Sequence, residues 1–323
     1  MKKIINFISK RFALIWVFIL IAVPFVIKNL YYLHLLNYML ILIIITVGFH
    51  LLIGFAGQIS IGHAAFVAIG AYVSAYLSVT MGLSFWLALP LSGIITGFIG
   101  YLIGKPITKF NGAYLAIATI GIGEITRLVL INWTEVTHGA QGFKGIPSPT
   151  LFGLAINNDL RYYWLLVPIV IIVYFLINTL IDSEVGRAFR SIRDEEIAAE
   201  FAGVDVTKMK LLAFTISAIL AGIGGSLLAH MNGYLSPFDF NITQSIAYLM
   251  MVLLGGLGYK WGPIIGVFLL TFSKEWFRFF DEYYLIIYGL MLVTIILFMP
   301  KGICGFFTDL FAKLTHRRYD NGR

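Results

Sequence analysis

Long apolar segments recur along almost the whole chain, and they limit its fold more than any other feature. A helix needs about 20 mostly apolar residues to cross a bilayer. Only 12% of the residues are charged, whereas soluble domains carry about 25%. Ten candidate spans follow, at 12–27, 33–53, 61–80, 85–104, 111–131, 163–181, 211–229, 244–258, 261–274 and 283–300. The chain is therefore predicted to be an all-α, polytopic membrane bundle, with one transmembrane domain over residues 1–323.

Some of these spans are irregular. Segments 61–80, 244–258 and 261–274 are short, or are interrupted by Gly, Pro or polar residues, so we expect some of them to be broken or tilted.

The orientation of the chain in the membrane follows from the positions of the Lys and Arg residues. With a cytoplasmic N-terminus, 17 of them lie in inner loops and five in outer loops. Cytoplasmic loops carry this excess in membrane proteins, so both termini are predicted to be cytoplasmic. The net charge of +7 then gives no reason to expect nucleic-acid binding.

The longest densely charged stretch, residues 182–210, lies between two spans on the predicted cytoplasmic side. Each charge would cost a few kcal/mol in hydrocarbon, so the stretch must lie outside the membrane. Arg187, Arg190 and Arg193 recur every third residue, and a run of small residues leads to Gly203. This pattern predicts a short helix that ends at Gly203. Either the stretch is a solvated connector, or it is a handle for another protein.

Polar residues interrupt the apolar sequence between 54 and 66. Gln58, Ser60 and His63 alternate there with small residues and glycines. Irregular backbone at membrane depth is tolerated only where protein buries it or where it lines a wet cavity. The residues indicate a translocation path or a helix break. A tight cytoplasmic turn followed by a glycine-rich packing face is the alternative.

Two further groups carry polar chemistry. Glu124 and Arg127 lie one helical turn apart in a predicted span, where they can pair on one face. Such a pair either contacts substrate or only fixes packing. The long outer loop, about 132–162, contains Thr137 and Gln141 among glycines, where a ligand or a delivering protein would arrive.

Several functions lack their motifs. The chain has no phosphate-binding G-x-x-x-x-G-K-[ST] sequence, no nucleophile signature and no metal-ligand spacing, and Cys304 is its single cysteine. We therefore expect no catalytic residue, no metal site and no ATP hydrolysis by this chain. Charges within the predicted spans are few, which argues against an ion-coupled secondary transporter. That class, and a membrane enzyme, remain the alternatives.

Five blocks, in order along the chain, resemble the branched-chain amino-acid ABC transporter permease family. They are 54–66 (GFAGQISIGHAAF), 112–119 (GAYLAIAT), 137–142 (THGAQG), 186–203 and 254–263. The third block is similar to the family's TGGxxG, with His138 in place of the usual glycine. The form of the chain resembles the M-type of two paired permeases.

The resemblance implies partners and a substrate. Such a permease pairs with a second homologous permease in the bacterial inner membrane. Two ATPase subunits bind ATP and Mg, so this chain needs no cofactor, and an extracytoplasmic binding protein delivers the substrate. The resemblance is closest to permeases for leucine, isoleucine and valine. Similar permeases carry other amino acids, short-chain amides or urea.

The resemblance also implies residue roles. The ATPase coupling segment would use Arg190, Arg193, Asp194, Glu195, Ala198, Ala199, Glu200 and Gly203. The substrate path would be lined by Gln58, Ser60, Gly62, His63, Thr119 and Glu124. The binding protein would contact Thr137, Gly139, Gln141 and Gly142.

Overall fold

The computed structural model describes residues 29–277, except 111 and 152, together with 20, 22–24, 289–290, 293–294, 297, 299 and 302–308. These residues are helical almost throughout, and the predicted all-α membrane bundle is confirmed. The predicted spans 12–27 and 283–300 lie largely outside the described residues. The total of ten spans and the cytoplasmic position of both termini therefore stay predictions.

The elements follow one another as helices with short loops. The helices are α1 (Leu30–His50), α2 (His63–Ala75), α3 (Phe85–Ile107), α4 (Ala113–Asn132), α5 (Thr134–Thr137), α6 (Asp159–Asp182), α7 (Glu184–Asp194), α8 (Glu196–Phe201), α9 (Val206–Asn232), α10 (Ile242–Gly255) and α11 (Gly262–Phe277). Single π-helical turns, Leu51–Phe55 and Tyr76–Thr80, extend α1 and α2. The strands are β1 (Phe143–Lys144), β2 (Thr150–Leu151), β3 (Leu154–Ala155) and β4 (Tyr234–Leu235), and they pair antiparallel as β1–β4 and β2–β3.

Among the residues that the structure describes, six helices are long and apolar enough to cross a membrane: α1 and α2 with their π turns, α3, α4, α6 and α9. The α10 helix is apolar but has only 14 residues, fewer than the roughly 20 that a full span needs. The described part of α11 covers 16 residues. The break between them falls at Gly256, whose φ of 113° is unfavourable for any other residue.

Helix caps explain why two spans are longer than their apolar runs. The side-chain oxygen of Asn158 accepts a hydrogen bond from Arg161 N (2.8 Å), and that of Asp205 accepts from Lys208 N (3.0 Å). Each cap satisfies a backbone N–H that the first turn leaves free, so α6 and α9 begin several residues before the apolar sequence does. Gly233, at φ +71°, ends α9.

Helix α9 is the centre of the bundle and packs against α1, α2 and α3. Glycines make the closest of these contacts. A Cβ atom on Gly225 would lie 2.1 Å from Val67 O, and one on Gly70 would lie 2.3 Å from Gly222 Cα. Small residues let helix backbones approach closely in lipid, where hydrophobic burial between helices offers little driving force.

A buried polar network joins α9 to α2 and to the outer loop. The Ser74 hydroxyl lies 2.7 Å from Ser226 Oγ and 3.0 Å from His230 Nε2. His230 Nδ1 lies 2.7 Å from Pro147 O. Because a carbonyl only accepts, Nδ1 of the neutral ring carries the proton and Nε2 accepts from Ser74. The outer loop is thereby fixed to the end of α9.

Candidate translocation and coupling site

The connection between α1 and α2 is the irregular backbone that the sequence predicts. The π turn ends at Phe55, Gly57 takes a φ of +71°, and His63 is the first residue of α2. π turns are rare and occur often at functional sites. Gln58, Ser60 and His63 are all almost completely buried. These three side chains therefore lie inside the bundle, whereas Gly57 and Ile59 of the same connection are exposed.

The connection is wedged between α4 and α9. Ile61 N donates to Thr119 Oγ1 on α4 (2.9 Å), and Gln58 Nε2 donates to Lys210 O on α9 (2.9 Å). A Cβ atom on Gly62 would lie 2.0 Å from Thr119 O, so only glycine allows this approach. The structure thus brings together five of the six residues predicted for the path.

Three polar atoms of this connection have no hydrogen-bond partner among the described residues. They are Gln58 Oε1, Ser60 Oγ and His63 Nε2. A buried polar atom without a partner costs about 1–3 kcal/mol, and such groups are rare in folded proteins. The His63 ring stacks on Phe49 with 4.1 Å between ring centroids. Each of these atoms therefore retains unused hydrogen-bonding capacity.

Glu124 lies apart from the other five path residues. Five residues along a helix correspond to about 140° of rotation, which takes it off the face that Thr119 presents to the connection. Its carboxylate pairs instead with Arg127, and half of its side chain is exposed.

The predicted coupling helix is two helices in the structure. Helix α7 ends at Asp194, Glu195 is extended at φ −159°, and α8 follows from Glu196 to Phe201. Gly203 then takes a φ of +86°, which ends the segment as predicted. Beyond it, a hydrogen bond from the Lys208 side chain holds the pKa of Asp205 below its usual value.

Arg193 points into its own chain. Its Nη1 donates to Gly54 O (2.7 Å), and its Nε and Nη2 donate to Asp194 Oδ1 (3.0 and 2.8 Å). A Cβ atom on Gly57 would lie 3.1 Å from Arg193 Cα and Cγ. The guanidinium therefore fastens the junction of α7 and α8 to the π turn that extends α1.

A second ion pair fastens the same junction to α9. Lys210 Nζ lies 2.7 Å from Glu196 Oε2, and the lysine is buried. A pocket of about 240 Å³ lies between these contacts and is lined by Ala56, Gly57, Gln58, Gly112, Leu115, Ile192, Arg193, Asp194, Glu195, Glu196 and Lys210. The α1–α2 connection and the charged segment 182–210 thus form one connected site.

The remaining predicted coupling residues divide by exposure. Ala199 is buried in this chain, and Arg190 Nη2 donates to Ile181 O at the end of α6 (3.2 Å). Glu195, Ala198 and Glu200 are exposed.

Two exposed apolar residues of α8 were not predicted as site residues from the sequence. The residue Ile197 is 64% exposed and Phe201 is 89% exposed. They are four residues apart, so they share a helix face. An apolar pair at this spacing inside a charged segment was the signal that would have identified them.

The outer loop residues hold a tight turn. The Thr137 hydroxyl donates to Leu130 O or Trp133 O, both at 2.7 Å, and its side chain is buried. A Cβ atom on Gly142 would lie 1.9 Å from Leu235 O on β4. Gly139 is buried with a φ of +59°, whereas Gln141 is exposed. Of the four predicted contact residues, Gln141 presents its side chain to the outside.

His138 is the one non-glycine residue with a positive φ in the described part of the chain (φ 58°, ψ 16°). Its ring packs edge-on against Phe143 at 4.6 Å between centroids. We expect His138→Val to destabilise the loop by about 2 kcal/mol, because a β-branched residue is strained in this conformation. His138→Gly also removes the ring but adds no strain. Thermal unfolding in detergent should therefore place Val well below Gly, and equal midpoints would contradict the left-handed backbone.

No group of three or more His, Cys, Asp or Glu side chains suited to a metal ion occurs among the described residues. The α1–α2 connection presents buried polar atoms without a hydrogen-bond partner among the described residues, and the exposed α8 face is suited to binding a protein. Neither arrangement places a nucleophile beside a base.

Known proteins give an independent comparison. The family described as branched-chain amino acid transport system, permease component, matches residues 31–296. The permease protein LivM of the high-affinity branched-chain amino acid transport system of Salmonella typhimurium is 37% identical over 287 residues, which cover 82% of this chain and 68% of that protein. LivH of the same system is 24% identical over 290 residues, covering 81% and 90%. No solved structure gives a significant match. The chain belongs to the family of branched-chain amino acid transport permeases.

Proposed function

We propose that this chain is one of two paired permease subunits of an ATP-binding-cassette importer, and that it translocates leucine, isoleucine and valine. Family membership supports the transport role, and the similarity to both LivM and LivH proteins supports pairing with a homologous permease. Separate ATPase subunits bind ATP and Mg, and an extracytoplasmic binding protein delivers the amino acid. The complex lies in the bacterial cytoplasmic membrane.

The observation that carries this proposal is the two-sided coupling segment. Its inner side is fastened to α1 through Arg193 and to α9 through Glu196, whereas its outer side presents Ile197 and Phe201. Large exposed apolar side chains mark protein-binding surfaces. An ATPase that binds this outer side would move the broken end of α1, and with it the polar connection.

The substrate path then passes the α1–α2 connection. Gln58, Ser60 and His63 supply polar atoms with free hydrogen-bonding capacity, and Gly62 and Thr119 keep the backbones close. On the outer side, the turn of Thr137, Gly139 and Gly142 presents Gln141 to the binding protein. High affinity is not needed inside the path, since the binding protein supplies it.

Arg193 gives a test of coupling within the chain. We expect Arg193→Ala to lower leucine uptake per ATP hydrolysed by roughly tenfold, because the carbonyl of the buried Gly54 loses a hydrogen bond at a cost of about 1–3 kcal/mol. ATP hydrolysis itself should continue. Arg187→Ala removes the same charge from a side chain that pairs with Glu184 at the surface, so its effect should be much smaller. Equal uptake per ATP in both variants would contradict the fastening role.

The decisive experiment combines purification with transport. The tagged chain is extracted in detergent, co-purifying proteins are identified by mass spectrometry, and proteoliposomes are tested for leucine and urea uptake with and without ATP. Recovery of a second permease and two ATPases, with ATP-dependent leucine uptake, would support the proposal. Urea uptake alone would keep the mechanism and change the substrate. A chain that purifies alone and transports on an ion gradient would overturn the proposal.

A further inference from the structure

The exposed faces of the spans differ in chemistry. On α3 the exposed face includes Ile94 and Phe98, and on α6 it includes Ile172 and Leu176, all more than half exposed. The exposed Thr179 hydroxyl of α6 donates to Phe175 O within its own helix. Such surfaces are compatible with lipid chains, since they leave no charged group for the lipid to solvate.

The exposed face of α4 is different. Its residues recur every three or four positions and form what we call the α4 stripe: Tyr114, Ile117, Gly121, Glu124, Leu128 and Asn132. Glu124 lies about 17 Å from the start of a helix about 30 Å long, which puts it near mid-membrane. Half of its side chain is exposed. A carboxylate there cannot face lipid without a penalty of a few kcal/mol. The α4 stripe, which lies on a different face of α4 from Thr119 and the α1–α2 connection, therefore faces the paired permease or the aqueous space between the two subunits.

The Glu124–Arg127 pair matches an amino acid in its charges. Arg127 Nε donates to Glu124 Oε2 (3.0 Å), and Nη2 contacts Oε1, so the fork of the guanidinium is closed on the carboxylate. A free amino acid carries one carboxylate and one ammonium group. Arginine binds carboxylates through two parallel hydrogen bonds, and glutamate accepts from an ammonium.

We propose that Glu124 and Arg127 form the head-group site of the translocation path, and that their contact opens to receive a zwitterion. Arg127 takes the α-carboxylate of the amino acid and Glu124 takes its α-ammonium. Four alternating charges replace two, so no net charge enters the membrane and no proton moves. The inference rests on the proposed function, because it assumes that the solute is an amino acid.

Space for the solute exists one turn below the pair. A Cβ atom on Gly121 would meet nothing within 4 Å, although Gly121 belongs to the same stripe. Leucine at this position therefore fits the chain itself and fills the space beside the carboxylate. On the charge-free face of α6, lipid can accommodate a larger side chain, which makes Leu176→Phe the matched control.

The main test removes both charges together. A pair that serves only packing is nearly neutral to remove as a whole, whereas removal of one partner leaves an unpaired charge. We expect Glu124→Gln/Arg127→Gln to assemble with its partners and to hydrolyse ATP, but to take up leucine roughly tenfold more slowly or worse, because charge-assisted contacts to the solute are lost. Gly121→Leu should also slow uptake, and Leu176→Phe should not.

A labelling experiment measures the water accessibility of the α4 stripe without measuring transport. Single cysteines replace Ile117, Leu128 or Leu176 in a Cys304→Ser chain within the assembled complex, and a cationic methanethiosulfonate reagent is added. Thiols react as thiolates, which form in water and not in hydrocarbon. Positions 117 and 128 should react and position 176 should not.

The outcomes separate the two proposals. Wild-type complexes that take up no leucine overturn the proposed function, and this site with it. Wild-type uptake together with normal uptake by the double glutamine variant, or with unreactive cysteines at 117 and 128, overturns the head-group site alone.

Discussion

The Gly225→Val variant is expected to yield almost no folded protein. Its new Cβ atom would start 2.1 Å from Val67 O and 2.9 Å from Ala71 N, both of which are backbone atoms of α2 that cannot swing aside. Overpacking typically costs 1–3 kcal/mol, and about 3 kcal/mol or more is expected where backbone must move. Because α9 packs on three other spans, separation from α2 would disturb the whole bundle.

The matched control is Gly121→Val on α4. The same valine side chain lies in open space there, so it needs only to be compatible with the helical backbone. Size-exclusion chromatography and thermal unfolding in detergent distinguish the two variants. We expect a monodisperse peak for Gly121→Val and aggregation or very low recovery for Gly225→Val. Normal recovery of Gly225→Val would mean that α2 and α9 are farther apart than described.

The second large effect is expected at Phe201. Its ring is 89% exposed, so Phe201→Ala should leave the stability of this chain unchanged. If α8 docks on an ATPase, the ring is an anchor of that contact, and truncation of an aromatic anchor costs about 2 kcal/mol or more. That corresponds to a roughly 30-fold weaker association. Titration of purified ATPase against the permease pair in nanodiscs measures it.

Phe175→Ala provides the control for that titration. Phe175 is also an exposed phenylalanine, but it lies within the membrane-spanning part of α6. The same truncation there should not change ATPase affinity. Unchanged affinity for Phe201→Ala as well would place the ATPase elsewhere on this chain.

Hydropathy predicted the six long spans of the described residues, because length and apolarity are local properties. The polar interruption at Gln58, Ser60 and His63 also predicted the break between α1 and α2, since irregular backbone at membrane depth persists only where protein buries it or water reaches it. The spans α6 and α9 extend beyond their apolar runs, because Asn158 and Asp205 cap them from outside. Asn and Asp are common N-cap residues, so these helix starts can also be predicted from the sequence.

The direction in which each arginine side chain points could not be predicted from the sequence. Arg187, Arg190 and Arg193 share one spacing, yet Arg193 turns inward to Gly54 O and Arg187 remains at the surface with Glu184. The inward direction of Arg193 depends on a carbonyl oxygen that lies 139 residues away in the sequence, and no local sequence pattern predicts such a contact. The separation of Thr119 from Glu124 was different. Helical geometry alone predicts it, because five residues turn a side chain through about 140°.

Helix α9 joins the two ends of the molecule. Its first turns hold Glu196 through Lys210, and its far end holds the outer loop through His230 and through the pairing of Leu235 with Phe143. Its 27 residues make a rod about 40 Å long. A rod of that length converts a tilt of about 5° into a displacement of about 3.5 Å at its tip. A small rotation of α9 at the end that binds Glu196 would therefore loosen or tighten the turn at its opposite end.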